Sequence, residues 1–82
     1  MGEFLGTRIY LNEEGSLALP PGGYGKDRVG VWHVRPQAGQ AGVLNDRWKV
    51  EEHANGTITV IPSIHIFGVY HGYLTQGVWT EC

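Results

Sequence analysis

The chain predicts an all-β fold, a small antiparallel barrel or two-sheet sandwich of about seven to nine short strands without a substantial helix. Thirteen glycines and four prolines among 82 residues cut it into short pieces. Apolar and polar residues alternate between those breaks, as they do on half-buried strands. No eleven-residue window keeps apolar side chains at a 3.6-residue period, so a helix longer than one turn is not expected. Residues 1–82 read as one domain, near the size at which burial only just offsets chain entropy. Closure or sheet stacking would then cover the strand edges.

The elements follow in order. Arg8-Ile-Tyr-Leu11 reads as a strand, Asn12-Glu-Glu-Gly15 as a turn and Ser16-Leu-Ala-Leu19 as the returning strand. Pro20-Pro-Gly-Gly23 stops it, because proline cannot donate to a ladder. Gly22-Gly-Tyr-Gly-Lys26 has the look of a phosphate loop but lacks the earlier glycine and the hydroxyl residue after lysine, so it reads as a turn. Val29 to Arg35 is the next strand, with Val29, Val31, His33 and Arg35 on one face and Trp32 and Val34 on the other. Pro36 to Gly42 is a loop.

Trp48 to His53, a turn at Ala54-Asn-Gly56, and Thr57 to Ile61 form a hairpin. It buries Trp48, Val50, Ile58 and Val60, leaves Lys49, Glu51, Thr57 and Thr59 to solvent, and has its ladder ended by Pro62. Asn55-Gly56-Thr57 also matches the glycosylation sequon, but Asn-Gly is the commonest hairpin pair and is read as the turn. Nothing repeats at a fixed period, which excludes a solenoid.

The carboxyl-terminal stretch carries the functional expectation. A turn centred on Gly68 sets Ile66 opposite Tyr70, His65 opposite His71 and Ile64 opposite Gly72. A second, centred on Gln76, sets Leu74 opposite Val78, Tyr73 opposite Trp79 and His71 opposite Glu81. Alternation then gives a core face of Ile64, Ile66, Tyr70, Leu74, Val78 and Cys82. The other face holds His65, Phe67, His71, Tyr73, Trp79 and Glu81. Three readings compete for it: a second core layer of Phe67, Tyr73 and Trp79 beneath the amino-terminal hairpin; an exposed partner-binding surface; and a metal site of His65, His71 and Glu81. The metal reading lacks a close-spaced ligand pair and a second shell, and His33 and His53 read as lone edge histidines. The second core layer and the binding surface both stay open; the binding surface is the functional expectation, with no cofactor and no resident metal.

Net charge is −2 with scattered basic residues, which leaves no stripe for duplex nucleic acid. The single cysteine, Cys82, offers no internal disulfide and no fixed histidine partner for nucleophilic chemistry. Ser63 stands in no nucleophile context. Glu13-Glu14 and Glu51-Glu52 are adjacent pairs whose side chains point apart, so no catalytic pair is expected. No basic-then-apolar leader stands at Met1–Leu5 and no apolar run approaches 18 residues, so neither a signal peptide nor a membrane span is expected.

Gly56-Thr-Ile-Thr-Val-Ile-Pro-Ser-Ile64, followed by Tyr70-His-Gly-Tyr-Leu-Thr-Gln-Gly-Val-Trp79 and Cys82, resembles a group of small proteins encoded by bacteriophages and prophages. The resemblance covers residues 43 to 82 well and the first forty loosely. It implies a phage gene product in the host bacterial cytoplasm or the virion, and brings no functional residue. Some relatives carry extra cysteines with a metal-binding look, which this chain lacks. The expectation that follows is a non-catalytic interaction protein, a host-directed inhibitor that binds a bacterial protein such as one of a defence system. Its alternatives are a virion component (capsid decoration or tail-associated subunit, with homo-oligomer contacts) and a small-molecule-sequestering or metal-binding protein.

Overall fold

The computed structural model describes residues 3–36, 40–66 and 70–81, with Ile66 described by its backbone alone. Among these residues the chain is all strand and turn. The elements are β1 (Glu3–Leu5), β2 (Thr7–Arg8), β3 (Gly23–Lys26), β4 (Trp32–Val34), β5 (Gly42–Leu44), β6 (Lys49–Glu52), β7 (Ile58–Ile66), β8 (Tyr70–Thr75) and β9 (Val78–Glu81). They form a five-stranded sheet in the order β1-β9-β8-β7-β6 and a four-stranded sheet in the order β2-β3-β4-β5. The all-β, two-sheet expectation holds, and the closed barrel does not. The sheets meet where β1 passes into β2: the Gly6 amide donates to the Gly77 carbonyl at 2.7 Å and the Thr7 amide to the Gly22 carbonyl at 3.3 Å. On the other side β5 and β6 are both sheet edges.

Four turns open on an Asn or Asp whose carboxamide or carboxylate oxygen captures amides two to four residues on. Asn12 Oδ1 accepts from Glu14 and Ser16, Asp27 Oδ1 from Val29 and Val31, Asn45 Oδ1 from Arg47, and Asn55 Oδ1 from Thr57. The expected turns at Asn12–Gly15 and Ala54–Gly56 are therefore present. Asp27 also explains a correction. It holds the Val29 and Val31 amides in its turn, so the strand begins at Trp32 and not at Val29.

The amino-terminal expectations change most. Only Thr7–Arg8 is strand where Arg8–Leu11 was expected, and Ser16–Leu19 forms none. The Gly22–Lys26 segment, expected to be a turn, supplies β3, pairing with β2 in parallel and β4 antiparallel. Its glycines suit a strand that other chain segments lie against. A Cβ on Gly25 would meet the Ile9 carbonyl and Leu17, and one on Gly23 would meet Pro20. The 9–21 segment thus lies against glycine backbone, where alternating side chains would hold it off. The expected 36–42 loop ends one residue early, because Gly42 opens β5; residues 37–39 lie outside the described residues.

The hairpin of β6 and β7 has the expected faces, with Val50 opposite Val60 and Lys49 opposite Ile61. Its ladder ends at Ile61 as expected, but the strand does not. β7 continues through the cis Ile61–Pro62 bond to Ile66. Val60 pairs with Leu74 and Ile64 with Gly72, so four steps along β7 match two along β8. This bulge hides no side-chain phase change, because the excess is even. The Trp48 indole donates to the Ser63 carbonyl inside it at 3.1 Å.

Beyond the bulge, Ile64, His65 and Ile66 oppose Gly72, His71 and Tyr70, as expected for the first carboxyl-terminal turn. The second register is wrong by one residue. Gln76 and Gly77 both have positive φ, 49° and 80°, and form a two-residue turn between Thr75 and Val78. Such a turn matches the right-handed twist of its strands. Leu74 consequently faces Trp79, Tyr73 faces Thr80, and Gly72 faces Glu81. Val78, expected in the core, moves to the outer face and is half-buried. Cys82 lies outside the described residues.

Trp79 moves the other way. It is 1% exposed and packs with Tyr24, Val34, Leu44, Ile58, Val60, Ile64, Tyr70 and Leu74. Its ring meets Tyr70 edge-on at 5.4 Å, and its indole nitrogen donates to the Gly22 carbonyl at 2.8 Å. One side chain thus joins the two sheets by both packing and a buried hydrogen bond. Trp79→Ala should cost about 3–5 kcal/mol, and Trp79→Phe, which leaves the Gly22 carbonyl only its longer bond from the Thr7 amide, about 0.5–1.5 kcal/mol. Urea unfolding of the two variants against the parent checks both values.

Candidate interaction surface

Strand alternation makes the outer face of the five-stranded sheet from a defined set of residues. Tyr73 pairs with Thr80, which pairs in turn with Glu3; Thr75 pairs with Val78, which pairs with Leu5. His65 opposes His71, and Ile61 opposes Lys49. Leu5 is 74% exposed, Tyr73 50% and Ile61 48%. His65 and His71 are exposed too, with ring centroids 4.8 Å apart and planes tilted by 34°. Ser63 Oγ stands 3.3 Å from His71 Nε2.

This arrangement keeps part of the expected site and removes part. His65, His71 and Tyr73 share an exposed face, as expected. Trp79 does not belong to it: the shortened turn places its side chain on the opposite side of the sheet from His71, in the core. Glu81 faces Gly72 on that opposite side, so the row of His65, His71 and Glu81 does not form. Phe67 lies outside the described residues. The second core layer of Phe67, Tyr73 and Trp79 is also not formed as a unit, since Tyr73 is exposed and Trp79 faces the other way. No group of three histidine, cysteine or acidic side chains able to hold a metal occurs among the described residues.

The sequence reading missed two features between the sheets. The first is a cationic and aromatic stack. The Arg8 guanidinium lies 4.4 Å from the Tyr10 ring centroid and 4.9 Å from that of Trp32, and Lys26 Nζ lies 5.3 Å from Trp32. Arg8 Nη1 donates to Glu52 and to the Gly56 carbonyl, both at 2.9 Å. Lys26 adds a 3.6 Å contact to Glu52. Arg8 thereby ties β2 to the tip of the hairpin in the other sheet. Its Nε is buried without a hydrogen-bond partner among the described residues, beside the two rings. The second feature is an open groove of about 610 Å³ at the side where β5 and β6 are edges, lined by Trp32, Trp48, Val43, Val50 and Asp46. No local pattern announces either one, because each needs segments from both sheets: Arg8 and Trp32 with Glu52 for the stack, and Trp32 with Trp48 and Val50 for the groove.

The other histidines are held by neighbours. His53 Nε2 lies 2.7 Å from Thr59 Oγ1, which also accepts from the Gln76 amide. His33 Nε2 lies 2.8 Å from Asp27 Oδ2. The hydrogen bond from His33, with the Val31 and Val29 amides, holds the Asp27 carboxyl below its ordinary value of 3.8. Hydrogen bonding from Arg8 likewise lowers the Glu52 carboxyl.

Compared with protein families, with curated proteins and with solved structures, the chain shows no match. No helix among the described residues is long and apolar enough to cross a membrane.

A depressed carboxyl pKa contributes stability that is complete above the unfolded value and is lost as pH falls through the folded value. For Asp27 that loss lies below 3.8. Asp27→Asn keeps an oxygen for the turn amides but removes the titration. Its urea midpoint should fall less than the parent's between pH 6 and pH 3, both set by buffer; equal falls would show that this carboxylate does not contribute.

Proposed function

We propose that this chain is a phage-encoded, non-catalytic interaction protein that binds a host protein through the outer face of its five-stranded sheet and so inhibits it. The observation that carries the reading is the exposure of Leu5, Ile61 and Tyr73 on one face with the His65–His71 pair. Large apolar side chains grouped on a surface are the usual mark of a partner contact, and tyrosine gives a rigid anchor at small entropic cost. The phage setting is supported by the resemblance of residues 43 to 82 to phage and prophage proteins. A defence protein is a natural target class for such an inhibitor. A virion role uses the same face, packed against capsid or tail subunits.

A different observation favours a second reading. The Trp32 and Trp48 groove has the aromatic lining and concavity of a small-molecule site, so sequestering a ligand there is the alternative. A ligand taken up in the groove would raise the melting temperature with concentration.

Affinity capture from infected cells, beside mass spectrometry of purified particles, tests the proposal. A stoichiometric host protein, with the chain absent from particles, is the expected result; stoichiometric recovery in particles favours the virion role instead. Tyr73→Ala and Ile61→Ser should abolish capture while shifting stability by about 1 kcal/mol or less, as fits exposed strand positions. Capture unchanged in both variants would remove this face as the contact.

A further inference from the structure

We infer that His65 and His71 form a two-ligand site for a late first-row divalent cation, of which Zn²⁺ and Cu²⁺ are the best suited. The inference uses the outer face described above but does not rest on the partner reading. The two residues are directly opposed on β7 and β8, and both are exposed to solvent. Their placement is fixed by backbone pairing on either side, Ile64 with Gly72 and Ile66 with Tyr70. The strands thus hold two imidazole rings together before any ion arrives.

The spacing of the two rings supports the assignment. A zinc-bound imidazole nitrogen lies about 2.0–2.1 Å from the ion, which puts each ring centroid about 3.2 Å away. At a bond angle of about 90–109°, two such centroids are about 4.5–5.2 Å apart. The observed separation is 4.8 Å with the planes tilted by 34°, inside that interval, so the paired strands already bring the two rings to the spacing that a shared ion requires.

Ser63 supplies the supporting contact. It lies 3.3 Å from His71 Nε2; when Nε2–H donates to its oxygen, the lone pair resides on Nδ1, the form a metal takes. With Glu81 turned to the opposite side, the described residues offer two ligands from this pair, and water or a partner's side chain can complete the coordination. Such a site is open and exchangeable. It does not hold the fold together, so removing metal leaves the fold intact.

The test is titration of the full chain, purified metal-free as Cys82→Ser so that the thiol cannot compete, with ZnCl₂ and CuCl₂ by calorimetry and imidazole NMR. One ion per chain is expected, tighter for Cu²⁺ than for Zn²⁺, with the His65 and His71 resonances shifting together. His65→Ala and His71→Ala should each weaken binding roughly tenfold or more, and Ser63→Ala by up to about tenfold. His53→Ala should leave it unchanged. Circular dichroism verifies that the variants fold. Absence of binding to the Cys82→Ser chain, or binding that survives both of the first two substitutions, overturns the site. Neither result bears on partner capture, which is measured separately.

Discussion

The two-residue turn at Gln76-Gly77 is the constraint on which the rest depends. Its length decides which of Trp79 and Val78 points inward, since one residue more or less reverses every side chain of β9. The surrounding structure leaves little room for another length. The Gly77 amide donates to the Ile58 carbonyl, its carbonyl accepts from Gly6, and the Gln76 amide donates to Thr59. A Cβ on Gly77 would stand 2.7 Å from the Tyr24 hydroxyl and 2.9 Å from Thr57 Cγ2, in addition to the cost of its positive φ. A turn at the sheet's end thus carries the junction with β1, the approach of the second sheet and the inward placement of Trp79.

The rest of the inter-sheet contact is divided between opposite kinds of force. Near the junction, Trp79 packs among apolar neighbours and bonds the Gly22 carbonyl. At the hairpin tip, the tie is ionic and aromatic, with Arg8 bonded to Glu52 and Gly56 beside Tyr10 and Trp32. Guanidinium suits that place, because it stacks on rings with its planar face and donates along its edge. On the side of β5 and β6, Leu44 belongs to the core with Trp48 and Val50 packed against it, but no strand pairing closes the gap. Its edges stay apart, and the groove with Trp32 and Trp48 lies there.

What the sequence made legible follows from how local each signal is. The β6–β7 hairpin was readable because Asn55-Gly56 fixes its turn and Val50, Ile58 and Val60 alternate around it. The pairing of His65 with His71 was readable from the alternation of Ile64, Ile66, Tyr70 and Leu74 to either side of Gly68 in the sequence. The amino-terminal half was not, because its strands are short and its order comes from distant partners: β1 pairs with β9, and β2 with β3 across a fourteen-residue connection, Ile9 to Gly22. The Gly22–Lys26 glycines signal a turn in isolation and become strand only with Ile9, Leu17 and Pro20 lying against them. The expected face lost Trp79 and Glu81 at its least determined point. Gln76 is not a residue that advertises positive φ, so the Gln-Gly pair gave a weaker length signal than Asn-Gly would have.

The even bulge in β7 separates the work of the two sheet faces. Because its excess is two residues, Val60 and Ile64 both point into the core on either side of it, while Ile61 and His65 both point outward. An odd bulge would have sent one pair to the wrong side. The extra length also lets the strand carry Pro62 and Ser63 between those positions. There the Ser63 carbonyl is taken by Trp48 from the core side and its hydroxyl lies by His71 on the outer side. The core-side bond anchors the backbone of the same residue whose side chain supports the histidine. The outer face can therefore be shaped for an ion or a partner without disturbing the residues that hold the sheets together.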